Sequence, residues 1–454
     1  MKKLFAILLA AFMLFDLVAC NGTENNNASG STSKETTPEI TTPEVTTPET
    51  TTPEVTTPEI TTPEVTTPPE PEFDEFRFGN ELIPIWVGDT VYEETVMFVG
   101  TDDIVPLLYP ATEIVSITDY TGNTTFVEGS DYILENGMLK MPEGSNLIYC
   151  PESTYWSKHS HDVYTLDKNG NYTITMACAL YPYQVKVTYK HNSTSTISVP
   201  NQSESFKDVI GKLERGEDVT IIFFGDSITE GWDCSLKLNI APYMPQWSAL
   251  VVQYLANKYE YSINYVDQDT SIVTGAWNYP AEHRVSFGDR GTINYINTAV
   301  GGYTAKDAIA KFDTHVSQQI DAYGCDLLFY AFGMNCNFED RNSLGADAKN
   351  FAKLLYTKSP DTALVIVSSM LYNTEVQTEH HTKGQEKTLK QIAKAIKATG
   401  QTVELAPLQS VFEQLDAVKR YRDLSGNNMN HPGDYLQRVY AQVVLQTICG
   451  YAEK

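Results

Sequence analysis

Ser227 lies in FFGDSITEGW (residues 223–232), where a run of buried-type residues stops at Gly-Asp-Ser and a turn. Gly225 permits an unusual backbone there, and a serine opening a helix sits beside free N–H groups that can receive an oxyanion. The same serine would serve equally well as a helix cap, so GDS alone is a weak signal. Three later stretches carry matching residue types: a glycine pair in NTAVGGYTA (297–305), an asparagine in FGMN (332–335) and a histidine in NNMNHPGDY (427–435). A serine hydroxyl becomes a nucleophile when an imidazole takes its proton, and His431 is placed late, just before a final helical pattern that Pro432 suits as its first residue.

The elements that must position these residues follow from periodicity. DVTIIFF (218–224), TINYIN (292–297), CDLLFYAF (325–332), TALVIV (362–367) and QTVELA (401–406) read as buried strands. Helical patterns lie at 305–324, 385–400 and 431–449. Strands alternating with helices imply a parallel sheet covered on both faces, in which ligands collect at the carboxyl ends of the strands. Ser227, the glycine pair and Asn335 each follow such a strand. Upstream, about 73–204, short alternating runs such as TVMFV and YQVKVTYK predict an all-β region, most simply a sandwich, with hairpin turns at TGN (121–123) and KNGNY (168–172).

Taken in order, the serine, the glycine pair, the asparagine and the late histidine resemble the SGNH, or GDSL-type, hydrolase superfamily over roughly residues 218–450. The resemblance implies a flavodoxin-like three-layer α/β/α domain (205–454) that hydrolyses esters without a metal or organic cofactor. Carried over residue by residue, it makes Ser227 the nucleophile and first oxyanion donor, Gly302 the second donor, Asn335 the third and His431 the general base. Two positions depart from the pattern. Cys336 stands where the family has an aspartate, and is read as packing; Asn428 stands three residues before His431, where the acid is expected. An asparagine carbonyl can orient the imidazole but cannot neutralise it. The expectation is therefore a Ser–His dyad oriented by Asn428 or a backbone carbonyl, with Asp434 and then Asp423 as substitute acids.

The N-terminus, MKKLFAILLAAFMLFDLVAC, resembles a bacterial lipoprotein signal peptide (1–20), which implies lipidation at Cys20 and a membrane tether at the cell surface. TTPEI-type pentapeptides then fill much of 21–72, and proline every fifth residue makes this an extended stalk. A formal net charge of −26 disfavours nucleic-acid binding, because no basic patch replaces counterions on phosphates. The seven cysteines have no metal-ligand or disulfide-scaffold spacing, and His159 and His161 lack a third ligand.

The layout is similar to that of bacterial carbohydrate esterases that remove acetyl groups from polysaccharides. The segment 267–289 reads as an insertion whose Trp277, His283 and Arg284 are candidates to line a sugar cleft, or else as a surface excursion packed on the all-β region; Trp247 from MPQW reads first as buried under the first helix, with a place near the site as the alternative. Three alternatives stand beside that reading: a lipid esterase or thioesterase, an esterase acting on the cell's own envelope glycan, and a carbohydrate-binding protein that has lost activity.

Overall fold

In the computed structural model the described residues are 80–157, 164–166, 170–175, 180–336, 343–376 and 382–451. The signal segment, Cys20, the stalk, His159, His161 and Cys178 lie outside them, as does part of the 168–172 turn. In the antiparallel region, β1 (Thr90–Met97), β2 (Ala111–Asp119) and β3 (Gln184–His191) form a sheet with β3 in the middle, and Thr125–Phe126 pairs on the far side of β2. The hairpin at 121–123 is present: Gly122 has φ +83°, and Asp119 N–H donates to Thr124 O at 2.9 Å. Two three-stranded antiparallel sheets complete the region. One of them sends Val105 and Leu139 into the same apolar cluster as Val96, Ile117 and Val187 of the first sheet.

The C-terminal region is built on a six-stranded parallel sheet. Its strands are β4 (Val219–Gly225), β5 (Ser262–Tyr265), β6 (Thr292–Asn297), β7 (Leu327–Ala331), β8 (Ala363–Val367) and β9 (Val403–Ala406), in the order β5-β6-β4-β7-β8-β9. Without the edge strand β5 this is the flavodoxin-like order. The five apolar runs expected as strands all form them. SINY, which becomes β5, is too short and polar to show a pattern.

Alternation along β4 explains the layers. Ile221 and Phe223 face the cluster that contains Trp247, Val251, Leu436 and Val443, whereas Ile222 and Phe224 face Phe351, Leu355 and Leu389. A strand buried on both sides must be apolar at every position, and β4 is buried throughout. The first face is covered by α1 (Trp247–Tyr259) and α4 (Asp434–Cys449), the second by α2 (Leu344–Lys358) and α3 (Gln385–Lys397). Among the described residues no helix is long and apolar enough to cross a membrane.

The antiparallel and parallel regions share one core and belong to one unit. Polar contacts fix the seam between them: Met97 N–H donates to Asp423 Oδ1 at 2.8 Å, Gln184 Nε2 donates to Arg422 O at 2.9 Å, and Lys419 pairs with Glu94 at 2.5 Å, both side chains fully buried.

Candidate active site

The end of β4 is made for close approach. A side chain on Gly225 would fall 2.4 Å from Thr229 Oγ1 and 2.7 Å from Ala331 O, so only glycine lets the chain turn there. Asp226 then caps the single helical turn Ser227–Glu230, its carboxylate accepting the Ile228 N–H at 3.1 Å. Burial pushes the Asp226 carboxyl up to about 7. Gly231, at φ +104°, stops the turn after four residues and sends the chain back beneath Ser227.

That reversal delivers Asp233. The Ser227 hydroxyl lies 2.9 Å from His431 Nε2, and His431 Nδ1 lies 2.5 Å from Asp233 Oδ2. The Asp233 side chain is only 1% exposed. With Nδ1–H donating to Asp233, the Nε2 lone pair faces the serine, the tautomer that proton abstraction requires. Asp233 has φ +62°, an uncommon conformation for a residue with a side chain, and its surroundings hold it there. Its carbonyl accepts the Tyr181 hydroxyl, and the Ser235 N–H two residues on is held by Asp434 Oδ1 at 2.9 Å.

The residue orienting His431 is therefore Asp233, and this corrects the expectation placed on Asn428, Asp434 and Asp423. Asn427 Oδ1 accepts the N–H groups of Met429, Asn430 and His431 at 3.0–3.1 Å, tying a tight turn that directs Asn428 away from the ring. Asn428 is fully buried, with Nδ2 donating to Ile174 O at 3.0 Å and to the Tyr155 hydroxyl at 3.1 Å. Asp434 accepts from Tyr120 and Ser235 instead, and Asp423 holds the seam to β1. Sequence reasoning did not reach Asp233, which lies one residue past the 223–232 stretch that carries the serine. The signal available was a glycine close enough to Ser227 to fold the next carboxylate back under it.

The remaining candidates separate clearly. Gly302, at φ +81°, belongs to the turn closed by Tyr303 N–H donating to Val300 O at 3.2 Å. Gly301 abuts the nucleophile, since a Cβ there would lie 3.7 Å from Ser227 Cβ. Among the described residues no protein acceptor takes the N–H of Ser227 or Gly302. Asn335 Nδ2 donates to Tyr303 O at 3.1 Å, which ties the asparagine to the same turn. Cys336 is buried in the core, in keeping with a packing role.

Trp247 does not line a cleft: it is fully buried against Phe223, with ring centroids 5.4 Å apart, as its burial reading expects. Arg284 braces its own segment, bonding Tyr279 O and pairing with Asp267, and His283 stacks on Tyr243 at 5.4 Å. Trp277 is half-buried with the Lys237 ammonium 4.9 Å from its ring centre. Among the described residues no three His, Cys, Asp or Glu side chains converge as a metal-ligand set.

The parallel sheet carries at its carboxyl edge a Ser–His–Asp alignment, the arrangement that serine hydrolases use. Residues 221–439 match the family described as GDSL-like Lipase/Acylhydrolase. No curated protein matches the chain. Among solved structures the chain is similar to a two-domain esterase active on acetylated mannans (16% identity, TM-score 0.38, 55% of this chain and 53% of that one). It thus spans about half the length of that esterase. It is also similar to a mutant of an acetylxylan esterase from Geobacillus stearothermophilus (16% identity, TM-score 0.34, 51% and 94% covered) and to a Clostridium thermocellum family 3 carbohydrate esterase (12%, 0.36, 52% and 98%).

Proposed function

We propose that the protein is an extracytoplasmic serine esterase that removes acetyl groups from carbohydrate through an acyl-enzyme intermediate. The observation that carries the chemistry is the relay from Ser227 through His431 to Asp233, at 2.9 and 2.5 Å. In the reading proposed, His431 takes the Ser227 proton as Oγ attacks the ester carbonyl, then returns it to the leaving alcohol. Asp233 keeps the imidazole in register and stabilises its positive charge without accepting the proton. Water, activated by the same histidine, then cleaves the acyl-enzyme. The N–H groups of Ser227 and Gly302, with the Asn335 amide, would receive the tetrahedral oxyanion, each donor typically lowering the barrier by about 2.7–4 kcal/mol.

The carbohydrate part of the proposal is supported by the chain's own layout: a signal segment ending in Cys20, a Thr/Pro/Glu stalk and an aromatic-bearing insertion at 267–289. A tethered enzyme outside the cytoplasm meets substrates too large to import. The test is acetate release from acetylated mannan, acetylated xylan and 4-nitrophenyl acetate, with Ser227→Ala as control. Release from a polysaccharide that vanishes in the mutant supports the whole reading. Release from the small ester alone removes the glycan, and release from none removes the esterase.

A further inference from the structure

Glu230 is a buried carboxylate, 4% exposed, beside the nucleophile and outside the Ser–His–Asp relay. Its Oε2 accepts the Gly301 N–H at 2.6 Å, and its Oε1 receives the Lys237 ammonium at 2.9 Å. Lys237 is itself held between two indoles, 5.3 Å from the ring centre of Trp232 and 4.9 Å from that of Trp277. Packing at 301 is tight: a Cβ there would lie 3.2 Å from Trp232 Nε1 and 3.3 Å from Glu230 Oε2 and would push them back by a few tenths of an ångström.

We infer that Glu230 is a positioning residue: by gripping the Gly301 N–H it sets the Val300–Tyr303 turn so that the neighbouring Gly302 N–H is free to meet the oxyanion. The inference rests on the esterase reading and deepens it. Two consecutive N–H groups of this turn are given different tasks, one tied to a fixed carboxylate, the other left for the substrate. Donors arranged before the reaction cost no reorganisation when charge develops, which is where such sites gain their rate. A bare carboxylate this close to the oxyanion would oppose it electrostatically, and the ion pair with Lys237 cancels that field. The two tryptophans fix the ammonium, and Trp277 ties the 267–289 segment to the oxyanion turn through it.

The test compares wild type with Glu230→Ala, Glu230→Gln and Lys237→Met on 4-nitrophenyl acetate. It also measures inhibition by phenylboronic acid, which forms a tetrahedral adduct on a reactive serine. Glu230→Ala should lose about 10²-fold in kcat, near the lower edge of what removing an oxyanion donor costs, with KM within about twofold. Its Ki for the boronic acid should rise in parallel. Glu230→Gln keeps an oxygen acceptor and should recover most of the loss, whereas Lys237→Met should lower kcat by leaving the carboxylate charge uncancelled. Wild-type kcat in Glu230→Ala, or a glutamine variant as slow as alanine at equal Tm, would overturn the inference. An inactive wild type would instead remove the esterase reading, and this inference with it.

Discussion

Two buried carboxylates, one at the seam and one at the site, are built to opposite ends. At the seam, Glu94 is satisfied on both oxygens: Oε1 receives Lys419 at 2.5 Å and the Leu108 N–H at 2.9 Å, and Oε2 receives the Tyr189 hydroxyl at 2.8 Å. At the site, Asp233 gives one oxygen to His431, while its Oδ1 has no hydrogen-bond partner among the described residues. The first has no capacity left and holds two sheets in register. The second faces a single ring nitrogen and fixes which way the imidazole presents Nε2 to Ser227. A buried charge therefore reveals its purpose by what it leaves unpaired.

Substitutions should separate the two carboxylates. Ser227→Ala should lower kcat by on the order of 10⁶ without moving Tm, as expected for removal of the attacking atom. Asp233→Asn should cost about 10⁴ in kcat by favouring the wrong imidazole tautomer, again with little change in unfolding. Lys419→Met should do the reverse: a loss of about 3–5 kcal/mol in denaturant-measured stability from the stranded Glu94, with kcat per folded molecule unchanged. A loss of activity at full stability in that variant would break the distinction. Asn428→Asp would deprive Ile174 O of a donor and should cost about 1–3 kcal/mol of stability while leaving the pH–rate profile as it is.

The smallest effect concerns Asp226, whose ordinary value of 3.8 is raised to about 7 by burial. Between those values the folded chain keeps a proton that the unfolded chain has lost, so this group's stabilisation is full below about pH 4 and gone above about pH 7. Asp226→Asn should flatten that fall between about pH 4 and pH 7, measured by chemical unfolding across pH.

Much of this fold was legible because β4 and its neighbours are buried on both faces and cannot hide their apolar runs. Ser227, the glycine pair, Asn335 and His431 were legible by order along the chain. The orienting acid was not, because spacing along the sequence says nothing about direction once the backbone turns left-handed. Gly231 and Asp233 both have positive φ, as does Asn428, and these three positions decide which carboxylate faces the imidazole. Trp247 left two readings open, of which burial holds: α1 is buried nearly all round, so a large aromatic on it carries no sign of which side it serves.

Ser227 and Asp233 are six positions apart, whereas His431 arrives from the far end of the chain. Nucleophile and acid are thus inherited as one short block. An exchange of the C-terminal segment would therefore bring in a new histidine, together with the core face of α4, and leave the serine–carboxylate pair in place.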